Sequence, residues 1–204
     1  MAIYSTMFLC EPKDLSAGFP GWRPPLERPV KREFLNPFTR EKTVVETREP
    51  EWPDAEPEPE AFHPQVVSVQ GDYQAYLESR LPPFVRDQPH WAGKGLTPVE
   101  LQPLFETLGF EAEMLPAMYS PPSLGSMLEQ VPPLFLSRMP AADEADLSKR
   151  WAAAMSTPEH THSVTGQRLS DGWKAEDALA IVRPLAELAR KAQASQQMYL
   201  LTEM

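Results

Sequence analysis

The stretch that decides the fold is Leu96-Thr97-Pro98-Val99-Glu100-Leu101, with its continuation to Phe110. Thr97 has the hydroxyl of a helix cap, able to accept from the first free amides. Glu100, three residues on, can reach back to the Thr97 amide, which completes a capping box. Pro98 falls at the first helical position, where its missing N–H costs nothing. Leu96 and Leu101 stand where a hydrophobic staple needs them. Gly109 supplies a left-handed stop, and Phe110 can fold back onto the last turn. The spacing predicts a helix to about Leu108, bent at Pro103, whose ring conflicts with the carbonyl of Val99.

This helix separates two halves of different character. Before it, residues 3–9 form an apolar first strand. Residues 14–29, with Gly18, Phe19, Gly21, Trp22 and Pro24-Pro25, form an ordered loop. Residues 30–35 and 43–47 pair as a hairpin through a turn opened by Asn36-Pro37, and Val44-Val45 favours a strand. Gln-Val-Val-Ser-Val-Gln at 65–70 is another strand. Asp72 caps a helix over 73–81, which Pro82-Pro83 ends. Residues 84–95, with His90 and Trp91, are expected to be irregular. After the capped helix, residues 110–119 hold a short extended piece. Ser123 opens a short helix to Gln130, and residues 134–136 suggest a strand. Residues 143–155 have helical composition, acidic early and basic late, as the helix dipole favours. Residues 157–172 are a polar loop. From Trp173 a last helix repeats Ala178, Val182, Leu185 and Ala189 at three-and-four spacing. Pro184 should kink it or divide it in two. Residues 198–202 return as a final edge strand.

The 24 prolines are about 12% of the chain, against ~5% in an average protein, so short elements and many turns are expected. The predicted fold is α+β in a single domain over 1–204: a small, mostly antiparallel sheet from the N-terminal half, helices on one face, and Pro-rich loops.

Charge narrows the function. The formal net charge is −10. That disfavours a nucleic-acid binder, which needs clustered Lys and Arg, and it disfavours an anionic membrane surface. Residues 1–48 carry +2, residues 49–60 carry −6, and the remainder carries −6. The middle piece opens a Pro/acidic extended loop over 49–64, too polar to fold alone. It is either a plain connection or an acidic arm for a basic protein partner, with Glu49, Glu51, Asp54, Glu56, Glu58 and Glu60 as its charges and Trp52 as its anchor. The single Cys10 permits no intrachain disulfide and fits a reducing compartment. With neither a signal peptide nor a membrane-spanning run, the chain is expected in the cytoplasm.

Catalytic motifs are few. There is no phosphate loop, dinucleotide fingerprint, zinc-spaced cysteine set or HExxH, and no cofactor is implied. Glu159-His160-Thr161-His162 is the one metal candidate, because alternate residues of an extended segment share a side. A third ligand would have to come from His63, His90 or a carboxylate. Two exposed loop histidines of no function explain the pair more simply. Cys10, inside an apolar strand, suits a core position better than a nucleophile.

The strand Ile3-Tyr4-Ser5-Thr6-Met7-Phe8-Leu9-Cys10 with its Gly/Pro/Trp loop, the Asn36-Pro37-Phe38-Thr39 hairpin, and the closing Ala/Leu helix with Met198-Tyr199-Leu200-Leu201 resemble small acidic immunity proteins of bacterial polymorphic and contact-dependent toxin systems. The resemblance implies a non-catalytic protein that neutralises a cognate toxin, often a nuclease, inside the producing cell. It implies no particular contact residue. The alternatives are a metal-dependent hydrolase built on the His160/His162 loop and a regulatory or scaffold subunit.

Overall fold

The computed structural model describes residues 4–20, 22, 26–35, 42–51, 73–119, 126–155 and 173–203. Five antiparallel strands form the main sheet: β1 (Tyr4–Cys10), β4 (His90–Lys94), β5 (Leu115–Tyr119), β6 (Ser126–Gln130) and β7 (Gln197–Glu203), in the order β4-β1-β7-β6-β5. The α+β class is therefore the observed one. β7 is central, not the expected edge strand. It pairs with β1 on one side (Met7 opposite Leu200) and with β6 on the other (Leu128 opposite Leu201). Its sequence requires this: Met198, Tyr199, Leu200 and Leu201 are all buried, so both faces need cover.

The pleat sorts β1 and β7 onto two cores. Met7, Leu9, Met198 and Leu200 face the larger cluster, with Leu101, Leu104 and Phe105 of α4 (Pro98–Thr107), Leu147, Trp151 and Met155 of α6 (Glu144–Met155), and Val182, Leu185 and Ala189 of α7 (Ala175–Arg190). The long C-terminal helices thus lie on one face, as expected. Phe8, Cys10, Tyr199 and Leu201 face a smaller cluster with Leu15, Phe19, Leu81 and Val85. Its cover is short: α1 (Leu15–Gly18), the end of α2 (Tyr73–Arg80) and α3 (Pro83–Arg86). The Phe84 ring lies where a Cβ on Gly18 would stand, 2.2 Å away, so only glycine lets α1 and α3 meet this closely.

The capped helix forms as its sequence dictates. The Thr97 hydroxyl accepts from the Val99 amide at 3.3 Å, and Glu100 Oε2 accepts from the Thr97 amide at 2.8 Å. At the other end Gly109 has φ +83°, the Gly109 amide donates to Glu106 and the Phe110 amide donates to Phe105. That is a Schellman closure, and the Phe110 ring stacks on Phe105 at 5.2 Å. Pro103 is accommodated inside α4, and Pro184 inside a single α7 of 16 residues rather than between two helices. Each proline frees the carbonyl four residues back, on Val99 and Ala180; both residues are exposed, so water can satisfy it. Trp151 ties α6 to α4 by donating its indole N–H to the Glu100 carbonyl at 3.0 Å.

Other local expectations are corrected. Residues 126–130, expected as the end of a helix, form β6. Two flanking strands bond it, and that outweighs a weak local helix preference. Residues 134–136, expected as a strand, lie in α5 (Pro133–Arg138), which Pro133 opens at its first position. Residues 84–95, expected to be irregular, contain α3 and β4. The hairpin is present and longer than expected, with β2 (Leu26–Leu35) antiparallel to β3 (Lys42–Glu51), but it forms a sheet of its own. The expected strand at 65–70 and the loop at 157–172 lie outside the described residues.

Because the Thr97 cap is local, Thr97→Ala should cost about 1 kcal/mol of stability and leave the fold intact. Urea unfolding should show a lower midpoint with an unchanged slope.

Candidate functional site

The acidic arm begins inside regular structure. Glu49 pairs with Arg28 and Glu51 with Leu26 at the open end of the β2–β3 ribbon. The expected loop over 49–64 is corrected at its start, since backbone pairing holds residues 49–51 in β3. Trp52, Asp54, Glu56, Glu58 and Glu60 lie outside the described residues, as do His63, His160 and His162. Among the described residues no three His, Cys, Asp or Glu side chains are grouped to hold a metal ion. His90 stands on the edge strand β4, its Nδ1 2.9 Å from the Gln88 carbonyl.

Cys10 is a core residue. Burial, with a smaller contribution from the Asp14 carboxylate, pushes its thiol up to about 12. Such a thiol is protonated at neutral pH and is not a nucleophile. Across the sheet from it, burial also pushes the Tyr199 phenol up to about 12.

A second acidic surface escapes a reading of the sequence. Residues 95–137 carry five glutamates and no basic residue. Glu106 lies on the outer face of α4. Glu111 and Glu113 stand on the extended lead into β5, all three exposed, followed by Leu115, which is 58% exposed. A recess of about 360 Å³ opens between Glu106, Gly109, Phe110 and Glu111. Two arginines approach the end of α4 nearby. Arg150 donates to the Thr107 carbonyl at 2.7 Å, and Arg138 Nη1 sits 3.7 Å from where a Cβ on Gly109 would be. Both cations suit the C-terminal end of a helix.

Glu129 sits beside this surface on β6. It is only 8% exposed, and its Oε2 is fully buried with no hydrogen-bond partner. Glu129 is directly opposite Pro116 on one side and Leu200 on the other. It therefore points to the face where Ala112 and Met114 pack on the larger core. Burial raises its carboxyl above the ordinary 4.5. An unpaired buried carboxylate is costly, so one that persists marks a place where charge can matter.

A separate recess of about 420 Å³ lies between α5, the end of α7 and the start of β7, lined by Leu136, Ser137, Ala192 and Gln193 among others. Near it Ser195 donates to Glu11 at 3.0 Å, and Lys13 pairs with Glu11 at 2.6 Å.

No protein family, no curated protein and no solved structure matches this chain. Among the described residues no helix is long and apolar enough to cross a membrane.

The raised carboxyl of Glu129 gives a pH dependence with a definite sign. A raised native pKa favours the protonated native state. Stability tied to it is complete below pH 4.5 and is lost as pH rises through the native value. Glu129→Gln should match the wild type in acid. It should exceed it by about 1 kcal/mol near neutral pH, as measured by denaturant unfolding across that range.

Proposed function

We propose that this protein is a non-catalytic binding protein that neutralises a basic protein partner, as an immunity protein holds a cognate bacterial toxin. The observation that carries the reading is the placement of negative charge. Six acidic side chains fall within residues 49–60, with no basic one, and the run starts on the paired end of a two-stranded ribbon. Glu49 and Glu51, at the start of the run, are held by backbone pairing opposite Arg28 and Leu26. Concentrated negative charge speeds encounter with a basic partner and sharpens selection. The buried, protonated Cys10 adds to this reading, because it removes the chain's sole thiol from nucleophilic chemistry. The resemblance to immunity proteins supplies the class of partner: a toxin such as a nuclease, whose phosphate-binding surface would be basic.

Co-expression with the product of the neighbouring reading frame, followed by affinity purification, should recover a basic protein in stoichiometric amount. A neighbouring product that is acidic, or that never co-purifies, would count against the reading. With the partner in hand, reversing Glu51, Asp54, Glu56 and Glu58 to Lys should slow association roughly tenfold at low salt and flatten its salt dependence. An unchanged rate would remove the arm from the interface.

A further inference from the structure

Glu129 lies under the strand that the sheet holds least firmly. We propose that ionisation of Glu129 releases β5 and its lead from the main sheet: this edge is closed in acid and opens as the carboxyl loses its proton, while the rest of the sheet keeps its pairing.

The attachment of β5 is slight. It is an edge strand and pairs with β6 alone. The Val131 amide donates to the Met198 carbonyl at 2.9 Å, so these two residues form a hydrogen-bonded pair. Such pairs recur at every second residue, which turns the Glu129 backbone toward β7 and the Leu128 and Gln130 backbones toward β5. β5 therefore hangs on β6 through Leu115 opposite Gln130 and Met118 opposite Leu128, and the register slips between them. Pro116, opposite Glu129, directs its nitrogen and carbonyl to the open side and adds no bond to β6. β7, by contrast, is paired along both sides.

The Glu129 side chain stands where this weak attachment meets the larger core. Its neighbours on that face of the sheet are Pro116 in β5, Leu200 in β7 and Val131 beyond β6, and Ala112 and Met114 of the lead pack on the same core. None of these titrates. Glu111 and Glu113 are the titratable groups of the lead, and both are exposed. On α4, α5, α6 and α7 every charged residue is exposed except Glu100 and Glu144. Glu100 is bound to Thr97, and Glu144 to Arg183 and Arg190. Burial is the one cause that raises the Glu129 carboxyl, with no contribution from another charge among the described residues. Its buried Oε2 thus has neither a hydrogen bond nor a counter-charge to support ionisation.

Water is the remaining remedy. Lifting β5 admits it and breaks only the few bonds of an edge strand, whereas parting β6 from β7 would open the centre of the sheet. The local route therefore costs less. The open state has the ordinary carboxyl of 4.5 and the closed state a higher one. Opening is then least favoured below pH 4.5, grows as pH rises above it, and levels off beyond the raised value. It bares the outer backbone of β6 at Leu128 and Gln130, a row of donors and acceptors that the closed edge keeps from other chains.

The test is amide hydrogen exchange of the full chain, followed by NMR from pH 4.5 to about pH 7.5 at several low urea concentrations and corrected for intrinsic rates. The Leu115, Met118, Leu128 and Gln130 amides report on β5; those of Phe8 and Tyr199, paired across β1 and β7, report on the centre. The first four should exchange through an opening that low urea leaves unchanged, and their protection should fall by up to about tenfold per pH unit before levelling off. Phe8 and Tyr199 should exchange with the full urea dependence of global unfolding. Glu129→Gln should keep the acid level of protection at every pH. Glu111→Gln with Glu113→Gln should retain the wild-type pH dependence. The proposal is overturned if the four amides share the protection and urea slope of Phe8 and Tyr199, if their protection does not change with pH, if Glu129→Gln leaves that change in place, or if the Glu111 and Glu113 substitutions abolish it. The chain is measured alone, so the result is independent of any partner.

Discussion

The structure depends on one pairing: the first strand of the chain lies against the last. β1 and β7 run antiparallel from Tyr4 opposite Glu203 to Cys10 opposite Gln197. Neither could stand at an edge, because both place large apolar side chains on both faces. Met7 and Leu9 with Met198 and Leu200 hold the long helices. Phe8 and Cys10 with Tyr199 and Leu201 hold the short N-terminal segments. Slipping the register by one residue would exchange the two sets, sending Phe8 and Tyr199 into a space shaped for Met and Leu. The pairing joins residues about as far apart in sequence as the chain allows. Its loop-closure entropy is met only once the intervening elements are compact. The local signals in between, above all the capped helix α4, can form before that closure and give it a surface to close upon.

That ordering separates what the sequence discloses from what it hides. α4 was legible to the atom because each of its signals is short-range: Thr97 with Glu100, Gly109, and Phe110 folding onto Phe105. The helix over 144–155 was legible from its composition and charge order, and that over 175–190 from its apolar period. β6 was not. Its five residues, Ser126 to Gln130, have no β-branched side chain, and only the strands on either side make them extended. The apolar triplet at 134–136 is too short to show a period at all, and the neighbouring Pro133 decided the outcome. The central place of β7 was readable in principle. Four successive buried-type residues, Met198 to Leu201, mark a strand covered on both faces rather than one at an edge.

The candidate site was half legible. The charge of residues 49–60 is a compositional signal and needs no fold to be seen. The second acidic surface is spread over forty-odd residues as isolated glutamates among apolar neighbours, and no window short enough to notice contains them together. Folding brings Glu106 beside Glu111 through the Schellman turn, and sheet pairing sets Glu129 opposite Pro116. Glu129 itself gives no signal in sequence. A glutamate in Met-Leu-Glu-Gln reads as the polar side of a half-solvated element. Its burial follows from pairing on both sides, with Pro116 and Leu200, which places it on the face of the larger core.

The two edges of the main sheet are managed differently, and the difference bears on how this protein meets others. At one end, β4 has α2 lying beside it, and the outer residue Ala92 is buried. At the other, β5 is blunted by Pro116 and a bulge, with Leu115 exposed and Met118 buried in the smaller core. Backbone pairing is indifferent to sequence, so an open ladder would admit any extended chain, including a copy of this one. An edge that withholds its donors and presents carboxylates instead selects on charge and shape. That exchange favours selectivity over gross affinity wherever another chain meets this edge. It also explains why an uncompensated carboxylate at Glu129 is tolerable. Its cost falls on a strand whose neighbour β7 is locked on both sides, so the fold carries the penalty without losing its register.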